Sequence, residues 1–190
     1  MILSRVILPA LLIVVLAACK AIPIPLEIDL LAKLGDAASG TIEKEIVAGS
    51  AYDVRKHIPE AGESCLVLDD DRRGVTLVHA NLTYELDLAY DGPPISGVVE
   101  VQAYLAADEE ALFSDAAALG APVRVDLASP TVTLGDSVRL DRYQIAAVND
   151  RRVCVGLLLV GTDLSAEEDG VASIGYDVKQ LRLRISFSVF

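Results

Sequence analysis

Tryptophan is absent from the 190-residue chain, and histidine occurs only at His57 and His79. The sequence also lacks the GxSxG, HExxH and Walker motifs and any glycine-rich dinucleotide turn, which leaves little catalytic machinery. His79 falls on the polar face of a predicted strand, and His57 precedes Ile58-Pro59 in a predicted loop. Surface positions explain both histidines more simply than catalysis does. We therefore predict that the protein is not an enzyme and holds no cofactor.

Basic residues are few: 28 acidic residues outnumber 16 lysines and arginines and give a formal net charge of −12. A nucleic-acid surface needs clustered lysine and arginine, so no nucleic-acid partner is expected. The acidic runs at 69–71 and 167–169 lack the ligand spacing of a calcium-binding EF-hand. We interpret both runs as solvated turns and predict no metal site.

No apolar run reaches the roughly 20 residues that a membrane-spanning helix needs. The nearest is at the start of the chain, where the 11 uncharged residues 6–16 follow Arg5. A short apolar core between a basic residue and small residues is typical of a signal peptide, which we place at 1–18.

The residues Leu16, Ala17, Ala18 and Cys19 end this segment, and the tetrapeptide resembles the lipobox of bacterial lipoproteins at all four positions. The resemblance implies that the Cys19 thiol is acylated, that residues 1–18 are removed, and that the lipid holds the protein to a membrane of the cell envelope. In enteric lipoproteins the following residue helps to select the membrane, and Lys20 implies the outer membrane rather than the inner one. Pro23 and Pro25 predict a short extended tether over 19–25.

Two cysteines, Cys65 and Cys154, remain once Cys19 is set aside. Exported chains meet an oxidising environment, so an even pair predicts a disulfide. A pair of buried free thiols is the alternative. Metal binding by these two cysteines is not favoured, since no CxxC motif or nearby histidine completes a ligand set.

Alternating apolar and polar residues predict a long half-buried strand from residue 76 and a second one from residue 95, separated by the DGPP turn at 91–94. We interpret the two as an antiparallel hairpin over 76–105. Further strands are predicted at 123–127, 132–140 and 152–160, the last of them buried on both faces. The final segment changes phase, which predicts a bulge near Lys179 and Gln180.

One helix is predicted over 108–120, with Asp108 as its cap and Gly120 at its end. Residues 26–34 fit a helix or a strand equally well. Many short strands with few helices predict a single mainly β domain over 26–190, an antiparallel β-sandwich with one or two short helices. An immunoglobulin-like architecture is one such arrangement, although the chain has no tryptophan to pack on a bridge.

Two functions remain open at this stage. The first is a non-enzymatic envelope lipoprotein, attached to its membrane through the lipid on Cys19, whose sandwich binds an envelope protein or polymer or has a structural role. The second is a carrier that holds a small apolar ligand or lipid in a cleft between its sheets. The polar face of the predicted hairpin is the candidate partner surface. It comprises His79, Asn81, Thr83, Glu85, Gln102 and Tyr104.

Overall fold

A computed structural model describes residues 24–60, 65–67, 75–127, 131–149 and 152–189 of the chain. Strands make up most of these residues, and the helices are short. The strands are β1 (Ile24–Asp29), β2 (Ser39–Ile46), β3 (Ala51–Ile58), β4 (Cys65–Val67), β5 (Val75–Asp91), β6 (Ile95–Ala106), β7 (Ala118–Asp126), β8 (Thr131–Arg139), β9 (Arg152–Ala166) and β10 (Gly170–Val189). The helices are α1 (Leu31–Leu34) and α2 (Arg142–Asn149), with 3₁₀ turns at Gly35–Ala38 and Asp115–Ala117.

The strands form two antiparallel sheets. In the β5 sheet, β1 and β2 pair one after the other with β10, and the order continues through β5 to β8. In the β6 sheet, β3 and β4 pair in the same way with β9, followed by β6 and β7. Each sheet thus has four strand positions, in the orders β2-β10-β5-β8 and β3-β9-β6-β7. This is the arrangement of a jelly roll, an eight-stranded double-sheet sandwich.

The predicted antiparallel β-sandwich is confirmed, and its strand order is that of a jelly roll rather than of an immunoglobulin domain. The predicted hairpin is wrong, because β5 pairs with β10 and β8 whereas β6 pairs with β9 and β7. The chain crosses from one sheet to the other at 91–94, where Gly92 has a φ of 141°. An alternating pattern shows only that one face of each strand is buried. Two strands in opposite sheets that face each other across the core have this pattern just as two paired strands of one sheet do.

The core lies between the inner faces of the two sheets. Leu82 and Leu86 from β5 meet Val101 from β6 and Leu157 from β9, and all four side chains are 0% exposed. At about 25 cal/mol per Å² of buried apolar surface, this cluster is the main stabilising contribution to the fold. β9 is buried along most of its length, as predicted, because its second face also packs against residues 107–117, which we call the covering residues.

The helix predicted over 108–120 is wrong, because residues 107–117, the covering residues, form turns. Their backbone bonds run three residues apart, from Leu112 to Glu109 and from Ser114 to Ala111, and β7 already begins at Ala118. The Asp108 carboxylate does accept from the Ala111 backbone N–H at 2.8 Å. It caps a turn rather than a helix, and Leu112 of this turn is buried against the outer face of the β6 sheet.

The remaining predictions concern the β1 edge of the sheet and the register of β10. Residues 26–34 divide between β1 and α1, and α2 was not predicted. The tether predicted over 19–25 is too long, because Ile24 and Pro25 pair with β10 as the start of β1. The predicted bulge is confirmed by a register shift between Val178 and Gln180. Proline is tolerated in β1 because this strand lies at the edge of its sheet.

Candidate functional site

The six residues of the predicted partner surface lie on two different sheets. His79, Asn81, Thr83 and Glu85 alternate with buried residues of β5 and face outward from the β5 sheet. Gln102 and Tyr104 face outward from the β6 sheet, on the opposite side of the sandwich. The prediction of one continuous face is therefore wrong, for the same reason as the hairpin on which it depended.

Gln102 and Tyr104 hold the covering residues 107–117 and neighbouring strands in place. The Gln102 side-chain amide donates to the Leu119 carbonyl at 2.6 Å. Tyr104 is only 9% exposed and packs edge-on against Phe113, with ring centroids 5.4 Å apart. These contacts are internal, so neither side chain presents a free binding surface.

The four outward-facing residues belong to β5, which lies between β8 on one side and β10 on the other. Asn81 lies directly between Arg139 of β8 and Arg184 of β10, and His79 lies opposite Ser186 of β10. Together these side chains line an open depression of about 330 Å³ on the outer face of the β5 sheet. We call it the basic depression; its lining residues are His79, Asn81, Arg139, Arg184 and Ser186.

The basic depression is rich in hydrogen-bond donors. Arg139 Nη2 lies 2.8 Å from His79 Nδ1, and because a guanidinium can only donate, Nδ1 is the acceptor. This contact holds the Arg139 side chain across β5 and uses one of its five N–H groups. Asn81 adds an amide and Ser186 a hydroxyl, and among the described residues no carboxylate lines the depression. Such a set of donors suits an anion.

Arg184 carries the second positive charge of the depression. Its neighbour across β1 is Glu27, but the Glu27 carboxylate accepts instead from Arg182 Nη1 at 3.1 Å. Within the described ranges, no hydrogen bond or ion pair to the Arg184 side chain is seen. Its guanidinium donors are exposed, and Glu27 offsets part of its charge at longer range.

Charge is segregated along the outer face of the β5 sheet. The half that contains the start of β1 and the end of β10 carries Arg139, Arg182 and Arg184, with Glu27 and Asp29 of β1 opposite the last two arginines. The other half carries carboxylates, with Lys179 paired to Asp87 and Asp177. The acidic residues on that half are Glu43, Glu45, Glu85, Asp87, Asp91 and Asp177. Three arginines against two carboxylates make the first half locally basic in a chain of strongly acidic composition.

A second cluster lies under the covering residues of the β6 sheet. The His57 ring stacks on Phe113 with centroids 4.2 Å apart, and burial, reinforced by Arg55, lowers the pKa of His57 although Glu60 opposes the shift. Cys65 and Cys154 are directly paired between β4 and β9 and form a disulfide, as predicted. No group in this cluster resembles a nucleophile activated by a base, and we interpret the cluster as structural.

Several predicted features lie outside the described residues. These are the signal peptide over 1–18, the lipidation site Cys19 and the acidic run at 69–71. Within the described ranges, no helix has the length and apolar character required to cross a membrane. In the same part of the chain, no three His, Cys, Asp or Glu side chains are grouped as a metal site would require.

Sequence reasoning found two residues of the basic depression and missed three. His79 and Asn81 were selected from the polar parity of β5, whereas Arg139, Arg184 and Ser186 belong to strands whose pairing with β5 was not predicted. The sequence did show that Arg182, Arg184 and Ser186 lie on the polar face of β10. Locating the depression also required knowing that β10 and β8 flank β5, which the sequence did not show.

Neither a protein-family model nor a curated protein matches the chain. Among solved structures, it is similar to a structure of infectious bursal disease virus Gx strain, with a TM-score of 0.41 and 10% identity over 88% of this chain and 36% of that chain. A cryo-EM structure of mud crab dicistrovirus gives a TM-score of 0.30 and 13% identity over 87% and 71% of the two chains. The chain thus spans about a third of the first of these proteins, and likenesses of this size carry no argument about function.

Proposed function

We propose that the protein is a non-enzymatic lipoprotein of the bacterial cell envelope, held to its membrane by the lipid on Cys19, whose sandwich binds another envelope component at its surface. The observation that supports surface binding is the basic depression, an open group of donors on an otherwise acidic molecule. The lipobox resemblance of 16–19 supports the anchor. The composition of the chain, with two histidines and no nucleophile motif, supports binding rather than turnover.

Packing between the sheets argues against the carrier function. The inner faces fill one another with leucine, valine and isoleucine, and Leu82, Val101, Leu157 and Leu183 are 0% exposed. A carrier would need these side chains to line a cavity of several hundred Å³. Native mass spectrometry of the protein without its acyl anchor should accordingly show no co-purified lipid at stoichiometric amounts, and a bound lipid would favour the carrier instead.

Surface binding can be tested by the chemical reactivity of a label position beside the basic depression. Ser137 of β8 is exposed and lies two residues from Arg139, so a Ser137→Cys variant reports on this face. Ser96 of β6 is exposed at the acidic end of the sandwich, and Ser96→Cys is the matched control.

We expect a polar maleimide to react more slowly with the Ser137→Cys protein in isolated envelopes than in detergent solution, because the envelope component covers this face. The Ser96→Cys protein should react equally in both. Equal reactivity of the Ser137→Cys protein in envelopes and in detergent would contradict the proposed binding surface.

A further inference from the structure

The basic depression lies at the end of the sandwich where the described chain begins. Ile24 pairs with Phe187, and Arg184 is three residues from Phe187 along β10. At about 3.4 Å per residue, the depression is roughly 10 Å from the start of β1. The acidic half lies farther away: Glu45 pairs with Val171, about 50 Å along β10 from Ile24 at the same rise.

Cys19 precedes Ile24 by only five positions. Even a fully extended chain spans at most about 3.6 Å per residue, so the proposed lipid cannot be more than about 18 Å from Ile24. If Cys19 carries the lipid, the β1 end of the sandwich must stay close to the headgroups. The basic depression then lies within reach of the membrane lipids, together with Arg182, Glu27 and Asp29 on the same half of the described outer face.

The donors of the depression match a phosphate group. Arginine binds phosphate oxygens through paired N–H groups, and the amide of Asn81 and the hydroxyl of Ser186 add neutral donors beside it. Arg139 and Arg184 flank Asn81 on neighbouring strands, about 10 Å apart at the usual strand spacing. Because the Debye length is about 8 Å at physiological ionic strength, the carboxylates of the far half are largely screened from this site.

We infer that the basic depression binds the phosphate groups of phospholipids in the membrane that carries the anchor, and so orients the sandwich with its β1 end toward the lipid and its acidic half away from it. This inference rests on the proposed function for the anchor and names the envelope component that the depression binds. Repulsion between the acidic half and an anionic membrane surface favours the same orientation.

The experiment uses the acylated protein purified from membranes and reconstituted into vesicles that contain a headgroup-labelled quencher lipid. A fluorophore is attached to the Ser137→Cys or the Ser96→Cys protein, and vesicles of phosphatidylglycerol are compared with vesicles of an uncharged galactolipid that has no phosphate. The test variant is Arg139→Gln/Arg184→Gln. The matched control is Arg124→Gln, which removes an exposed arginine that pairs with Glu100 on the β6 sheet.

Because the tether keeps the β1 end near the headgroups, we expect stronger quenching at position 137 than at position 96 in both lipids. The difference should be larger in phosphatidylglycerol, where the basic depression also binds phosphate, than in galactolipid. Each arginine near an anionic surface contributes about fivefold, so the double variant should lower the ratio of oriented to unoriented protein by about 25-fold. Arg124→Gln should leave the quenching unchanged. Unfolding midpoints of all variants establish that the fold is intact.

The outcomes separate the inference from the proposed function. Protein that does not float with vesicles at all contradicts the anchor. Protein that floats but shows the same difference in quenching between the two positions in both lipids, or a difference that the double variant does not change, overturns the inference alone. Inorganic phosphate is the probe for a soluble ligand. If it perturbs the Asn81 amide resonance while the two lipids give the same quenching, the lipid is the wrong source of the phosphate group.

Discussion

His57 and Tyr84 carry ionisable groups into packed parts of the molecule, and burial shifts the pKa of each in the direction that keeps it neutral. Tyr84 is 2% exposed on the inner face of β5, where burial, assisted by Asp136 opposite it on β8, raises its pKa to about 12. Burial is also the largest cause of the lowered pKa of His57. Both effects follow from the cost of placing a charge in a medium of low dielectric constant.

A His57→Phe variant should lose part of the pH dependence of stability. The pKa of histidine in the unfolded chain is about 6.5, and the folded value is lower, so below about pH 6.5 the unfolded state binds more protons. The free energy of unfolding of the wild type therefore falls as the pH is lowered below about 6.5. Above this pH the ring is neutral in both states, and His57 adds no pH dependence. Phenylalanine keeps the stack on Phe113 without a titrating group.

Urea unfolding of both proteins at several pH values from neutral to mildly acidic measures this difference. His79→Gln serves as the control, because it removes the other histidine of the chain and leaves His57 in place. Parallel stability curves for wild type and His57→Phe across the window would show that His57 is not buried as a neutral ring.

At the scale of elements, the covering residues and β4 show how short segments are retained on a sheet. β4 has three residues and pairs with β9, to which the disulfide also joins it. The covering residues 107–117 pack over the same sheet through Leu112 and Phe113. Below Phe113, β9 carries Gly156, and a Cβ built there would lie 2.7 Å from Phe113 Cζ and 3.2 Å from the Ile58 carbonyl oxygen.

Replacing both cysteines, Cys65→Ala/Cys154→Ala, should lower the free energy of unfolding by about 4 kcal/mol. The bridge closes a loop of 89 positions, and cross-links of that span restrict the unfolded chain by about this amount in the chain-entropy model. Denaturant unfolding of the variant and of the oxidised wild type measures the loss. Equal unfolding midpoints would show that the bridge does not restrict the unfolded chain.

A Gly156→Ala substitution should destabilise the protein by about 1–3 kcal/mol, because the added methyl group displaces Phe113 from its place over β9. Gly175→Ala in β10 is the matched control: its Cβ would have neighbours no closer than 3.7 Å, an ordinary contact distance. Thermal unfolding distinguishes the two. A loss at Gly175 as large as that at Gly156 would assign the effect to the strand backbone rather than to the aromatic ring.

At the scale of the whole molecule, the jelly roll determines which strands meet and so creates the basic depression that we propose to function. β5 runs between β10 and β8, which brings the arginines of two distant segments beside His79 and Asn81. The same topology places the start of β1, with Glu27 and Asp29, next to this surface, and the six carboxylates of the acidic half at the other end. The proposed orientation on a membrane would follow from this arrangement of the strands and from an anchor that precedes β1.

Replacement of the anchor residue, Cys19→Ala, should abolish acylation, since the thiol is the proposed site of the lipid. Mass spectrometry of the protein from membranes should show the acyl groups in the wild type and none in the variant. When a cleavable secretory signal replaces residues 1–19, the exported protein should appear in the soluble fraction, because two or three acyl chains are what holds it durably. Membrane attachment that survives this exchange would contradict the proposed anchor.

Alternation of polar and apolar residues was enough to predict the burial pattern of the strands, because side chains alternate across a strand and each residue type reflects its own surroundings. That local rule identified the inner face of β5, the doubly buried β9 and the bulge after Val178, and the parity of the cysteines predicted the bridge between Cys65 and Cys154. Pairing partners were decided only by the tertiary structure, because a strand satisfies the same alternation beside any neighbour. That β5 and β6 belong to opposite sheets, and that Arg139 and Arg184 flank Asn81, could therefore not be predicted. These contacts join residues that are remote in sequence.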